Sequence, residues 1–149
     1  MNLFFQKIFN NSYLILIARV IVGLMFIIVG VAKVANGAEF AEEIRNYQIL
    51  PDFMLNISAI SVAWIELIAG ILILFGIETK ANALIILSML IIFTTAVGIA
   101  MIKGLNINCG CYSQIASQKV GFPKIFENLG LMILTFIILF SNNKKFNLS

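Results

Sequence analysis

The sequence predicts an all-α protein: an antiparallel four-helix transmembrane bundle with one short interfacial amphipathic helix. Three observations predict it. Of 149 residues, 61% are hydrophobic and 11% charged, and the mean hydropathy is +1.04, whereas a soluble domain carries roughly a quarter charged residues. The apolar residues gather in four long runs. Backbone inside a bilayer must satisfy its own hydrogen bonds, so runs of this length fold as helices and not as open strands.

The runs cover Tyr13 to Ala35, Ile57 to Phe75, Ala81 to Ile102 and Ile125 to Phe140. The fourth is extended to Pro123, because proline is tolerated at the first helical position. Each approaches the roughly 20 residues that cross a hydrocarbon core of about 30 Å. One membrane domain over residues 1–149 follows, with spans at about 13–35, 57–75, 81–102 and 123–140. The first run is too long for a signal-peptide core and no small-x-small site follows it, so it is expected to be retained as a span. Between the first two runs, Phe40, Ile44, Tyr47 and Leu50 recur at helical spacing opposite Glu42, Glu43 and Arg45. That pattern predicts an amphipathic helix lying at the membrane interface and stopped near Pro51. Gly76 to Lys80 reads as a tight turn. Lys103 to Lys124 is long for so small a domain, and long loops in small domains are usually functional or disordered.

The net charge is +3. Its basic residues are scattered and form no stripe, so they fit snorkelling and anionic headgroups better than nucleic acid. Histidine is absent, which excludes His-ligated haem, His-based zinc or di-iron sites and Ser-His or Cys-His catalysis by this chain alone. Two cysteines do not supply a four-ligand zinc site, and no metal site is assigned. Four spans put both termini on one side. Lys7, Lys80, Lys144 and Lys145 fall on that side, against Arg45, Lys103, Lys119 and Lys124 on the other, so charge does not set the orientation.

Cys109-Gly110-Cys111 are the only cysteines and lie in the long loop. The ring they close is too short to restrain the unfolded chain much, so a structural staple is a poor reading. Gly110 permits the tight backbone that a Cys-x-Cys ring requires, and a strained bond is readily reduced. Thiol–disulfide exchange is therefore the leading expectation, with Cys109 and Cys111 as the catalytic pair. Cu(I) or another soft metal is the alternative, beside a static disulfide or free thiols. Dithiols that cycle belong in an oxidising compartment, which places the loop on the outer side of the membrane.

Within the spans, Arg19, Gly23, Phe26, Gly30, Lys33 and Gly37 repeat as a heptad seam, matched in the second span by Ala59, Ala63, Glu66 and Gly70. A carboxylate at the depth of Glu66 needs a partner. Pairing the spans centre to centre puts Arg19 nearer its level than Lys33, so an Arg19–Glu66 pair is expected, with Lys33 snorkelling outward. That pair either fixes packing or lines a site for a quinone head group or a proton route. Arg19, Lys33, Trp64 and Glu66 are the candidate lining residues, and Trp64 is expected inside the bundle.

Together these motifs resemble the DoxX-like superfamily and, within it, the MauE-type methylamine utilisation proteins. The resemblance rests on Arg19-Val-Ile-Val-Gly-Leu-Met-Phe-Ile-Ile-Val-Gly-Val-Ala-Lys33, on Phe40-Ala with Tyr47 and Leu50-Pro51, and on Trp64-Ile-Glu66 with Gly70. Lys103-Gly104, Asn108-Cys-Gly-Cys-Tyr112 and Asn128 complete it. It implies a four-helix inner-membrane protein that supports periplasmic disulfide formation during maturation of methylamine dehydrogenase, beside a thioredoxin-like partner. It carries Cys109 and Cys111 over as the family's Cys-Gly-Cys pair. Two positions depart from the pattern: Tyr112-Ser113 stands where Phe-Gly is usual, and Glu127 where a basic residue often precedes the asparagine. A non-catalytic scaffold for a maturation complex is the rival expectation from a different class.

Overall fold

The computed structural model describes residues 2–105 and 121–141. These form six helices: α1 (Asn2–Phe9), α2 (Ser12–Ala35), α3 (Gly37–Asn46), α4 (Asp52–Phe75), α5 (Thr79–Ile102) and α6 (Phe122–Phe140). Four of them, α2, α4, α5 and α6, are long and apolar enough to cross a membrane. The all-α four-helix bundle expected from the hydropathy runs is what the chain forms.

Local chemistry sets the boundaries. Asn11 caps α2, its side-chain oxygen accepting from the Tyr13 N–H at 3.2 Å, which separates α2 from the short α1. The sequence pattern did not predict α1. Helix α4 starts at Asp52, earlier than the apolar run suggests. Pro51 sits extended at its N-cap, and Asp52 places an acidic group in the first turn, where the helix dipole favours it. Gly76 (φ 77°) ends α4 in the left-handed region, with Ile77 N–H on the Leu72 carbonyl and Gly76 N–H on that of Ile73. That is the Schellman arrangement. Asn82 then donates to the Ile77 and Glu78 carbonyls at 2.8 and 3.1 Å, so the reversal into α5 is as tight as expected.

Helix α3 ends at Asn46, short of Pro51, and Gln48 turns the chain with φ 54°. Of the expected apolar face, Phe40 and Tyr47 are buried and Ile44 is half-buried, whereas Leu50, past the end of the helix, is exposed; Phe40 and Ala41 pack against Ala59 of α4. Glu43 corrects the pattern: placed on the polar face by its spacing, it is buried. Phe40, Ala41 and Glu43 are all buried, so the covered face reaches beyond the strict apolar stripe.

In the bundle α2 packs most extensively on α4, and α5 on α6. The central core joins Val22 and Phe26 of α2, Ile73 of α4, Ile86 and Leu90 of α5 and Leu131 of α6. Large apolar side chains also cover the outside, among them Ile17, Leu24, Ile28 and Val31 on α2. Arg19, Lys33 and Glu66, which fall within the spans, are held inside instead. An apolar exterior around polar interior residues suits hydrocarbon as the solvent.

Candidate functional site

Three glycines set the α2–α4 register. A Cβ on Gly30 would lie 2.8–2.9 Å from the backbone and Cβ of Leu67, and one on Gly70 would lie 3.0 Å from the Gly23 carbonyl and the Ile27 nitrogen. Only glycine lets the backbones approach this closely. Gly23 thus faces Gly70 and Leu74, and Gly30 faces Leu67. Lys33 therefore lies within about one helical turn of the level of Glu66, or roughly 5 Å. Arg19 falls level with the very end of α4.

This register corrects the expected pairing. Lys33 Nζ contacts both Glu66 carboxylate oxygens, at 2.9 and 2.7 Å, and the two side chains are 0% and 4% exposed. Lys33 does not snorkel outward. Its ammonium also lies 4.5 Å from the Phe40 ring centroid and 4.6 Å from that of Phe93, where ring faces add electrostatic attraction in a desolvated setting. One buried cation is thus met by a carboxylate from α4 and by rings from α3 and α5.

Arg19 is buried as well, and backbone carbonyls are among its partners. Its Nε donates to the Ile73 carbonyl at 3.1 Å and Nη2 to that of Leu74 at 3.3 Å. A cation on the last carbonyls of a helix satisfies acceptors and opposes the dipole's negative end. Trp64, expected inside, is 49% exposed. The buried stripe of α4 runs through Ala59, Ala63, Glu66, Gly70 and Ile73, and Trp64 is rotated off it toward the lipid-facing surface.

The four candidate lining residues therefore do not enclose one space. Lys33 and Glu66 meet; Arg19 lies about 21 Å along α2 from Lys33, at 1.5 Å per residue; Trp64 faces outward. The cavity beside Glu66 measures about 30 Å³, far less than an aromatic ring needs, since a dry cavity of about 150 Å³ holds benzene. The cavity at Glu66 is thus too small for a quinone head group.

Several polar residues, Asn128 of the resemblance motif among them, were given no site role from the sequence. Asn128 of α6 is buried and donates to Thr94 Oγ1 of α5 at 3.3 Å, while Thr94 donates to the Leu90 carbonyl at 2.7 Å. Asn128 lines the small cavity together with Glu66. Lys124, counted above as a loop charge, is buried in the first turn of α6, its Nζ 3.2 Å from Glu127 Oε2. The acidic residue that departs from the resembling family is thus engaged by a lysine of its own helix. Polar residues inside apolar spans were the available signal, and Asn128 carried it. A second, apolar cavity of about 210 Å³ lies between α3, α4 and α5, and Phe40 and Phe93 form part of its wall.

Cys109 and Cys111 lie outside the described residues. The described chain runs past the end of α5 to Leu105 and resumes at Gly121, at the end of the bundle that carries α3.

The family model described as "Methylamine utilisation protein MauE" matches residues 11–141. Similar curated proteins bear that name. MauE of Paracoccus denitrificans is 25% identical over 121 residues, covering 80% of this chain and 65% of that protein. MauE of Methylorubrum extorquens is 24% identical over 107 residues, covering 71% and 58%. MauE of Methylophilus methylotrophus is 23% identical over 128 residues, covering 85% and 67%. The chain thus spans between 58% and 67% of the length of these relatives. No solved structure matches it.

Proposed function

Because this chain is a multi-pass membrane protein that belongs to the MauE family, we propose that it acts as a thiol–disulfide redox component through Cys109 and Cys111. The observation that carries the reading is the Cys-Gly-Cys pair itself: the chain's only two sulfhydryl residues, one residue apart, between the last two spans. In the forward direction a client thiolate attacks the Cys109–Cys111 disulfide, one sulfur leaves, and a mixed disulfide forms. The client's second thiol then displaces the remaining sulfur, so the client is oxidised by two electrons and the pair is reduced to two thiols. Exchange with the disulfide of a thioredoxin-like partner returns the pair to its starting state. The protein sits in the bacterial cytoplasmic membrane with this loop on the periplasmic or extracellular side, where disulfides persist. Its client is an exported protein, and the names of the relatives point to methylamine utilisation as the setting.

The test is alkylation of membranes followed by a gel shift. Wild-type protein gains two modified thiols on reduction and loses them on oxidation, and Cys111→Ser or Cys109→Ser traps a mixed disulfide. Cysteines that stay locked, or that no aqueous reagent reaches from either side, overturn the proposal. A second reading, a non-catalytic scaffold, is favoured by the sealed Lys33–Glu66 pair, which organises packing without exposing chemistry. Under it the chain with both cysteines replaced by serine supports client maturation undiminished.

A further inference from the structure

The cavity beside Glu66 has walls that specify an occupant. We propose that it is a water site: one internal water, held by the Glu66 carboxylate and the Asn128 side-chain amide, joins the Lys33–Glu66 pair to the Asn128–Thr94 bond. The result is a single hydrogen-bonded chain with one residue from each spanning helix, Lys33 of α2, Glu66 of α4, Asn128 of α6 and Thr94 of α5. This inference is independent of the cysteines.

Size is the first support. The cavity offers about 30 Å³, and a water needs about 10–15 Å³ together with two to four polar partners. Hydrogen-bonding capacity is the second. A carboxylate has about four acceptor positions, and Lys33 Nζ reaches each Glu66 oxygen once. Asn128 offers two amide protons and a carbonyl oxygen; among the described residues its side chain makes one hydrogen bond, to Thr94. Both residues line the same cavity, whose other walls are apolar, with Phe26, Leu90 and Leu131 among them. Charge is the third. An anion is repelled by Glu66, whose charge Lys33 already balances, so a second cation finds no uncompensated partner. A small neutral molecule that both donates and accepts fits, and water is that molecule. Burying the remaining carboxylate positions against hydrocarbon alone is the costly alternative.

The test uses the full chain in lipid bilayers, labelled with carbon-13 and nitrogen-15, and water-edited solid-state NMR. Magnetisation starting on water should reach both Glu66 Cδ and Asn128 Cγ in the wild type. Asn128→Leu removes one partner and should drop the Glu66 signal to background. Leu131→Phe fills the cavity while keeping both polar groups and should do the same. Absence of transfer to either residue in the wild type overturns the proposal, whether or not the variants fold. Transfer to Glu66 that survives Asn128→Leu or Leu131→Phe overturns it too, because the water would then lie elsewhere.

Discussion

Arg19 and Lys33 lie on one stripe of α2, both buried and both cationic, yet the bundle meets them in different ways. At one end the guanidinium closes onto the Ile73 and Leu74 carbonyls, neutral acceptors at the end of a neighbouring helix. At the other end the ammonium meets the Glu66 carboxylate between two phenylalanine rings. The difference follows from register. The glycine contacts slide α4 along α2 until Arg19 reaches a helix terminus and Lys33 reaches a carboxylate. A cation in such a bundle takes whatever acceptor the next helix presents at its depth. A terminus supplies backbone oxygens; the middle of a helix, whose carbonyls are already used, must supply a charged side chain.

Breaking the two ends should therefore cost unequal amounts. Lys33→Ala leaves Glu66 buried without its counter-charge and should destabilise the protein by about 3–5 kcal/mol, measured by reversible unfolding in mixed micelles. Arg19→Met should cost less, roughly 2 kcal/mol. The Ile73 and Leu74 carbonyls it abandons are neutral, and Ile73 keeps a bond from the Gly76 N–H. In the seam between the two ends, Gly30→Ala forces a Cβ against Leu67 backbone and should cost about 1–3 kcal/mol. Gly98→Ala, where nothing lies within 4 Å of the new carbon, should be neutral or stabilising by up to about 1 kcal/mol. The smallest effect belongs to the exposed Arg45–Glu42 pair, whose side chains are 52% and 61% accessible. Glu42→Gln should change stability by no more than about 0.5 kcal/mol.

The spans were legible because hydrocarbon demands long unbroken apolar runs, with Pro51 and Gly76 as punctuation, whereas the Asn11 cap emerged only in the fold. The seam glycines were legible from spacing. Their consequence was not. Pairing spans by their centres put Arg19 beside Glu66, whereas close backbone approach at Gly23, Gly30 and Gly70 fixes a different offset. That offset is a property of two surfaces together, which neither helix's pattern contains. Trp64 illustrates the same limit at a smaller scale, one position past Ala63 and so turned off the buried stripe. Glu43 and Lys124 look like surface charges in a linear reading, yet both are buried in the fold, a contact between elements that linear spacing does not contain. Within the candidate site, the Cys-Gly-Cys pair was visible from composition alone, while Asn128 and Thr94 became partners only when α5 and α6 were brought side by side.

The register claim meets its most direct test in a double-mutant cycle on unfolding free energies, comparing Lys33→Ala with Glu66→Ala and Arg19→Ala with Glu66→Ala. Residues in contact couple by about 1–3 kcal/mol, while separated ones add within about 0.5 kcal/mol. The account predicts coupling for Lys33 and Glu66, the double variant being more stable than additivity allows, and additive losses for Arg19 and Glu66. Additivity at Lys33 together with coupling at Arg19 would contradict it.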